Sequence, residues 1–449
     1  MTELLTDNLK SVGFLGFGRS NACVYDFLHN RYPNLSYTVR EARDVPLPFL
    51  PERSFYKEDM LNDIDEDILF ISPTVKRDLE PLLSAKKRGT VLSSDAELFF
   101  SVFRGSSIGV SGTSGKSTVT YLCAKMLSEA GISTEPIGNY GNGFCHAIDK
   151  SRSIVAELSS FQLSYLEPSL DTAVLTAVGE DHLNWHKDLA EYVLCKGRLF
   201  SRAKKRIVDA DSQAAISVLS DRSLFCAVTN SAPRAMQTCR LNSRHTVFAV
   251  GSKVYIDGEP FLDLSAAKRS ESYNFKNFML SCAAVFDRVP RDVIERVAVN
   301  FGGLPHRAEL VLFSRGISFI NSSIDTSPQR ALSTLEHVLG YTVPIFCGTG
   351  KGLSFDRLAD KTLRSSLGAV LMGEVGEQIG NVIKQKNRSF KIAYASNMNE
   401  AVAVAADMLK NGGTVILSPA GASYDKYQSF EERGEDFRLS VLRWDKIKG

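Results

Sequence analysis

Along this chain, short apolar runs ending in glycine or polar residues alternate with stretches in which apolar residues recur every three or four positions. The first pattern predicts buried strands and the second amphipathic helices, so their alternation predicts βαβ units and parallel sheets. Ser11–Gly18 is a strand entering a glycine turn, Ser20–Tyr32 is the helix after it, and Ser36–Glu41 and Asp67–Ser72 are the next strands. A second group starts with Ser106–Val110, turns at Ser111–Ser117 and continues as the helix Thr118–Gly131, followed by the strands Ser153–Ser159 and Thr172–Val178. A third group contains the strands Ile317–Ser322, Val343–Gly348, Gly368–Gly373, Phe390–Ala395 and Gly413–Ser418. Three such groups imply three domains, 1–103, 104–303 and 304–449, with a plausible hinge at Gly302–Pro305.

Composition agrees with this and removes other classes. A chain of 449 residues is too long for one hydrophobic core, and 44% hydrophobic residues exclude a disordered tail protein. With 53 basic against 51 acidic residues there is no global polycation for nucleic acid, so any phosphate-bearing ligand needs a local site. Met1–Lys10 carries acids and no apolar core of a secretion signal, and no stretch approaches the roughly 20 apolar residues of a membrane span. The eight cysteines form no C-x-x-C and read as reduced, mostly buried thiols, so a cytoplasmic protein is expected.

The strongest candidate chemistry is Gly112-Thr113-Ser114-Gly115-Lys116-Ser117-Thr118, between an apolar strand and a long helix. Glycines let backbone N–H groups curl around phosphate oxygens, and the helix N-terminus adds a favourable dipole. Lys116 is placed to neutralise the β- and γ-phosphates of ATP, and the Ser117 hydroxyl to ligate magnesium. Val110 stands where the strict pattern has its first glycine, but an ordinary strand-to-helix turn does not require the Gly-Lys-Ser-Thr core. Gly16-Phe17-Gly18 also opens like a dinucleotide fingerprint, with Glu41 where an acid meets a ribose hydroxyl. Asn21 occupies the third glycine position, so structural turn glycines explain this segment equally well.

Glu157 and His182 follow apolar strands of the second group. Strand ends converge on the ligand crevice of a doubly wound sheet, so a carboxylate and an imidazole there can reach a nucleotide's magnesium. A solvated strand end is the bland alternative for Glu157. His182 and His186 also form H-x-x-x-H, but with no glutamate in the second position and no evident third ligand it is a weak zinc pattern. Lys196 by itself reads as a surface helix lysine.

Together these segments resemble the Mur ligase family along nearly the whole chain. The resemblance implies three α/β domains: an N-terminal Rossmann-like domain for a UDP-linked substrate, a central P-loop ATPase-like domain with a mostly parallel sheet, and a C-terminal Rossmann-like domain for an amino acid. It implies that Gly112 to Thr118 bind ATP, with Asn277 and Arg307 also contacting the nucleotide. Ser117, Glu157, His182 and Lys196 would hold two Mg2+ ions, with Lys196 carbamylated, which needs a neutral amine and hence a depressed pKa. Lys116, His182 and Lys196 are the implied catalytic groups.

Leu417–Phe437 resembles the C-terminal signature of the members that add D-glutamate to UDP-N-acetylmuramoyl-L-alanine. Thr326, Lys351, Ser423 and Phe430 fall where those members hold D-glutamate. Asn139, in Gly138–Gly141, resembles the loop touching the UDP-muramoyl substrate, and Ser20 and Ser72 resemble parts of its UDP site. The Asp-Asn-Pro-Arg motif of diaminopimelate-adding members is absent. The implied activity is an ATP-dependent ligase of peptidoglycan synthesis acting through an acyl phosphate, a cytoplasmic monomer with small-molecule substrates and neither nucleic-acid nor membrane partners. Ser322 and Thr349 depart from the resemblance, standing where aspartates are expected. A sister ligase using another amino acid, an idle UDP-sugar-binding relative and a plain ATPase are the alternatives.

Overall fold

The computed structural model describes residues 5, 9–42, 47, 49–182, 185–219, 224–230, 243–267, 272–338, 340–350, 353–423, 426–427 and 429–448, without the side chains of 272–274 and 337. The architecture is α/β, with three mostly parallel sheets. By internal contacts the chain divides into two compact units, Met1–Phe301 and Gly302–Gly449, so the first two sheets share one unit.

The first sheet contains β1 Ser11–Leu15, β2 Ser36–Glu41, β3 Arg53–Tyr56, β4 Ile68–Ile71 and β5 Val91–Ser93, in the order β3-β2-β1-β4-β5, all parallel. The strand order reverses beside β1, which puts the glycine turn after β1 next to the end of β4, where a doubly wound sheet opens a crevice. Asn21 explains why the third fingerprint glycine is dispensable. Its buried amide donates to the carbonyls of Gly16 and Phe70, tying the turn to β4. Glu41 is likewise engaged by the turn, accepting from the backbone N–H groups of Phe17 and Ala42.

Arg40 is fully buried and pairs with the equally buried Glu66 at 2.8 Å. Its guanidinium also donates to the carbonyls of Met60, Asn62 and Asp63 and packs 4.4 Å from the Phe55 ring centroid. A buried cation stripped of its anion is costly, because no water replaces the lost partner. Glu66→Leu is therefore expected to destabilise the protein by about 3–5 kcal/mol in denaturant unfolding, and a loss below about 1 kcal/mol would contradict the assignment.

The second sheet runs from β6 Ser106–Ser111 through β7 Glu135–Gly138, β8 Ser153–Glu157, β9 Ser169–Leu175, β10 Arg202–Asp209, β11 Leu224–Thr229, β12 Ser243–Val250, β13 Lys253–Ile256 and β14 Glu259–Asp263. Its order is β14-β13-β12-β11-β10-β9-β6-β8-β7, antiparallel only at the β12-β13-β14 edge. β6 lies between β8 and β9, with Val110 opposite Glu157 and Ser111 opposite Leu175. The third sheet contains β15 Glu309–Ser314, β16 Ile317–Asn321, β17 Thr342–Cys347, β18 Ala369–Leu371, β19 Ile392–Tyr394 and β20 Gly413–Ala420. It is ordered β15-β16-β20-β17-β18-β19, with β15 antiparallel. Seven described cysteines are buried and free, as expected of thiols, while Cys239 lies outside the described residues. No helix among the described residues is long and apolar enough to cross a membrane.

Candidate active site at a phosphate loop

The turn leaving β6 is forced close to its neighbours. Gly112 has φ +143°, and a Cβ there would lie 1.8 Å from Thr176 Oγ1. Gly115, at φ +86°, caps the helix Lys116–Glu129, and its added Cβ would lie 2.3 Å from Asn277 Oδ1. Both positions need φ values that L side chains rarely adopt and space that only a hydrogen fills. The loop is pinned from β9: the Thr113 N–H donates to Ala177 O at 2.8 Å, and Thr176 Oγ1 donates to Ser114 O at 2.6 Å. Thr113 Oγ1 also lies 2.9 Å from the Tyr192 hydroxyl and accepts from the Gly179 N–H at 3.0 Å. Ser117 and Thr118 fall in the first turn of the helix, whose N-terminus suits an anion. Lys116 folds back to donate to Thr113 O at 2.9 Å.

Lys196 is buried, contrary to its reading as a surface lysine, and donates to Gly112 O at 2.6 Å, tying the helix Leu189–Gly197 to the loop. The helix places it on the inward face beside the Tyr192 ring, 4.5 Å from the centroid. Burial, and then the positive charge of Lys116, lower its pKa to about 7, while Asp181 and Glu157 oppose the shift. These four charged groups thus share one field. Glu157 is buried at the end of β8, and its Oε2 has no hydrogen-bond partner among the described residues. A buried, unpartnered carboxylate oxygen suits a hard cation, as does an oxygen ligand set.

His182 sits on the same loop in a left-handed conformation, φ +53°, half exposed, with Nε2 3.4 Å from Asp181 Oδ2. His186 turns away from solvent instead, with Nε2 2.9 Å from Ser160 Oγ. Burial lowers its pKa, and the positive charges of Lys196, His182 and Lys76 add to this against Glu191.

Beside this centre, Asn139 is exposed and its N–H donates to Glu157 O at 3.1 Å. Arg19, which the sequence did not single out, donates to Gly138 O at 2.7 Å and so ties the start of the helix Arg19–Arg31, which carries Ser20, to the same loop. The Ser20 hydroxyl is hydrogen-bonded to Asp95, whose carboxyl burial holds above the usual range. Ser72 lines a pocket with Pro73, Arg77, Phe161, Gln162 and Tyr165. Thr176 and Tyr192 carry no sequence signal, since only packing brings them to the loop.

In the second unit the ends of β16, β17 and β20 converge. Thr349 and Ala422 exchange backbone hydrogen bonds at 2.9 and 3.0 Å, next to the buried Ser423. Ala420 N–H donates to Asp325 O beside Thr326, and Ser323 Oγ donates to Phe430 O at 2.8 Å. Fully buried Arg433 joins these loops through Ser323 and Gly421. Thr326 and Ser423 therefore stand on loops connected to the start of the helix Phe430–Lys448, which carries Phe430, while Lys351 lies outside the described residues. Ser322 is buried and accepts from the Ala308 N–H at 3.2 Å, and Asp325, hydrogen-bonded to Ser418, Thr334 and Ser322, supplies a carboxyl three residues on. Arg307 also belongs to this unit and is exposed, its N–H donating to Leu304 O.

The Mur ligase middle-domain family matches residues 110–285, which contain the phosphate loop, Glu157, His182, Lys196 and Asn277. The UDP-N-acetylmuramoylalanine--D-glutamate ligase of Acetivibrio thermocellus is 32% identical, covering 96% of this chain and 96% of its own. The same-named protein of Clostridium acetobutylicum is 31% identical over the same shares. Among solved structures, a UDP-N-acetylmuramate-alanine ligase from Thermotoga maritima superposes with TM-score 0.51 at 16% identity, covering 98% of this chain and 99% of that one. A UDP-N-acetylmuramoyl-L-alanyl-D-glutamate--2,6-diaminopimelate ligase gives TM-score 0.51 at 15% identity, covering 98% and 93%, so the fold is shared across ligases of this kind. A phosphate loop flanked by a buried carboxylate and a buried lysine, within a chain related to these ligases over nearly its whole length, places the protein in the Mur ligase family.

Proposed function

We propose that the protein joins D-glutamate to UDP-N-acetylmuramoyl-L-alanine at the expense of ATP, in peptidoglycan synthesis. The observation that carries this is the convergence of Lys116, Lys196 and Glu157 on the phosphate loop, in a chain whose relatives bear that ligase's name. The segment 1–103 would take the UDP group, 104–303 ATP and 304–449 D-glutamate. A cytoplasmic monomer is the form this reading carries.

The alanyl carboxylate takes the γ-phosphoryl group of ATP, releasing ADP, and the amine of D-glutamate then displaces phosphate from the resulting acyl phosphate. Bound Mg2+ supplies charge neutralisation of the phosphates, and Ser117, Glu157, His182 and Lys196 (as a carbamate) are the residues that would hold two such ions. Lys116 and the N–H groups of the loop hold the phosphates in line, where positioning and electrostatics supply most of the catalysis. Asn277, against Gly115, and Arg307 are the further nucleotide contacts. Ser20, Ser72 and Asn139 would orient the muramoyl substrate. Thr326, Lys351, Ser423 and Phe430 would fix D-glutamate, and both hydroxyls and the ammonium suit a dicarboxylate.

The test is phosphate release with each amino acid, with and without UDP-N-acetylmuramoyl-L-alanine. D-glutamate is expected to be the acceptor, with release dependent on the muramoyl substrate; release without it points to a plain ATPase, and L-lysine as best acceptor to a sister ligase. Lys351→Ala is expected to raise the D-glutamate KM on the order of 10- to 100-fold, the loss of one charge-assisted hydrogen bond. The ATP KM should barely move. An unchanged D-glutamate KM removes Lys351 from the site.

A further inference from the structure

Outside the phosphate loop, the helix Leu189–Gly197 and the segment before it gather three donors of different chemistry. His186 precedes the helix, and Glu191 and Cys195 follow one turn apart on its surface, so an i,i+4 spacing stacks the carboxylate over the thiol. One ligand atom from each of the three lies within 4.8 Å of the others. Ligand atoms around a tetrahedral ion with bonds of about 2.0–2.3 Å stand about 3.3–3.8 Å apart, so side-chain shifts of about an ångström close the set.

His186 supplies the second observation. The residue is 2% exposed, and its Nδ1 has no hydrogen-bond partner among the described residues. Its Nε2 is already committed to Ser160 Oγ at 2.9 Å. An imidazole oriented through one nitrogen, with the other buried and bare, is the usual disposition of a metal-binding histidine. Glu191 uses Oε2 to accept from the Lys187 N–H, which anchors the carboxylate and leaves Oε1 for a ligand. The Ser164 hydroxyl, at the C-terminal cap of the neighbouring helix Ser160–Leu163, lies 3.3 Å from Cys195 Sγ and steadies the third donor.

We propose that His186, Glu191 and Cys195 form a site for a borderline divalent cation of the zinc class, distinct from the magnesium ligands at the phosphate loop. Nitrogen, oxygen and thiolate donors favour such an ion over magnesium, which takes oxygen, and three protein ligands leave a fourth position open. Binding replaces the Cys195 S–H bond by a sulfur–metal bond and releases that proton to solvent. The loaded site pins the entry of the helix to Cys195, adjacent in the chain to Lys196.

The test is a titration of the full-length protein with Co2+, read by cobalt–thiolate charge-transfer absorption, with Zn2+ as competitor. Sulfur is absent from the magnesium ligand set, so the band reports this site whatever substrate the enzyme uses, and failure of the ligase reading leaves the result intact. The wild-type protein is expected to show one equivalent of thiolate-bound cobalt, displaced by Zn2+. Cys195→Ser should lose the band, His186→Gln should weaken cobalt binding at least about tenfold, and Cys226→Ser, with another buried cysteine removed, should keep it. Circular dichroism of each metal-free variant establishes that it is folded. No thiolate band in the wild-type protein overturns the proposal without recourse to any variant, as does a band that survives in Cys195→Ser.

Discussion

Lys116→Ala is expected to lower ligation, measured as phosphate release, by roughly 100- to 1,000-fold while leaving the protein folded. The lysine opens the helix Lys116–Glu129, where alanine is at least as good a helix former, and its ammonium donates to a loop carbonyl with no part in a core. Folding therefore loses little. On the proposed reading the reaction loses a cation that meets phosphate oxygens, and charge that develops during transfer is where fixed positive groups act most strongly. The comparison is kcat and the ATP KM for wild type and variant, alongside thermal unfolding. Wild-type turnover by a folded Lys116→Ala protein would sink the ATP-site assignment.

Lys196→Ala should be nearly inactive too, for a different reason. Burial and the neighbouring Lys116 lower its pKa from 10.5 to about 7. The amine is thus mostly protonated below about pH 7 and increasingly neutral above it, and only the neutral amine takes up carbon dioxide to become a carbamate. Carbamylation is expected to rise with pH through this window in bicarbonate buffer, read on the native protein as a carbamate carbon resonance with 13C-bicarbonate that is missing in Lys196→Ala. The stability effect has the same sign. Because the folded value lies below the unfolded one, the group opposes folding at pH 7 and below, and this penalty fades as pH rises toward 10.5. A purely structural lysine predicts a different pattern: Lys196→Met, which keeps the apolar stem, would restore activity, and acetate would not. The catalytic role predicts partial recovery of Lys196→Ala with acetate, which supplies the missing carboxylate, and none from methionine. A fully active Lys196→Ala protein contradicts it.

The chain's local patterns determined a good deal by themselves. Strands β1, β2, β4, β6, β8, β9 and β16 to β20, the glycine turn after β6 and the helix after it were legible, because strand, turn and helix starts are written in neighbouring residues. Glu157 was legible for the same reason, as a polar residue ending an apolar strand, whereas His182 lies beyond the end of β9 on the loop that follows it. Strands β3, β5, β7 and β10 to β15 were not legible; β3, β5, β7, β14 and β15 lie at sheet edges, where a strand needs no continuous apolar run and takes its partner from the sheet. Tertiary structure alone decided the rest of the site. Lys196 lies at a helix position whose sequence suits solvent, and only the packing of that helix against Gly112 buries it and moves its pKa. Asn277 reaches Gly115 from a distant helix, and Asn21 replaces a glycine by a side chain that bonds two strands. Sequence periodicity records how a segment folds with its neighbours along the chain, whereas burial, electrostatic field and hydrogen-bond partners depend on residues far away in it.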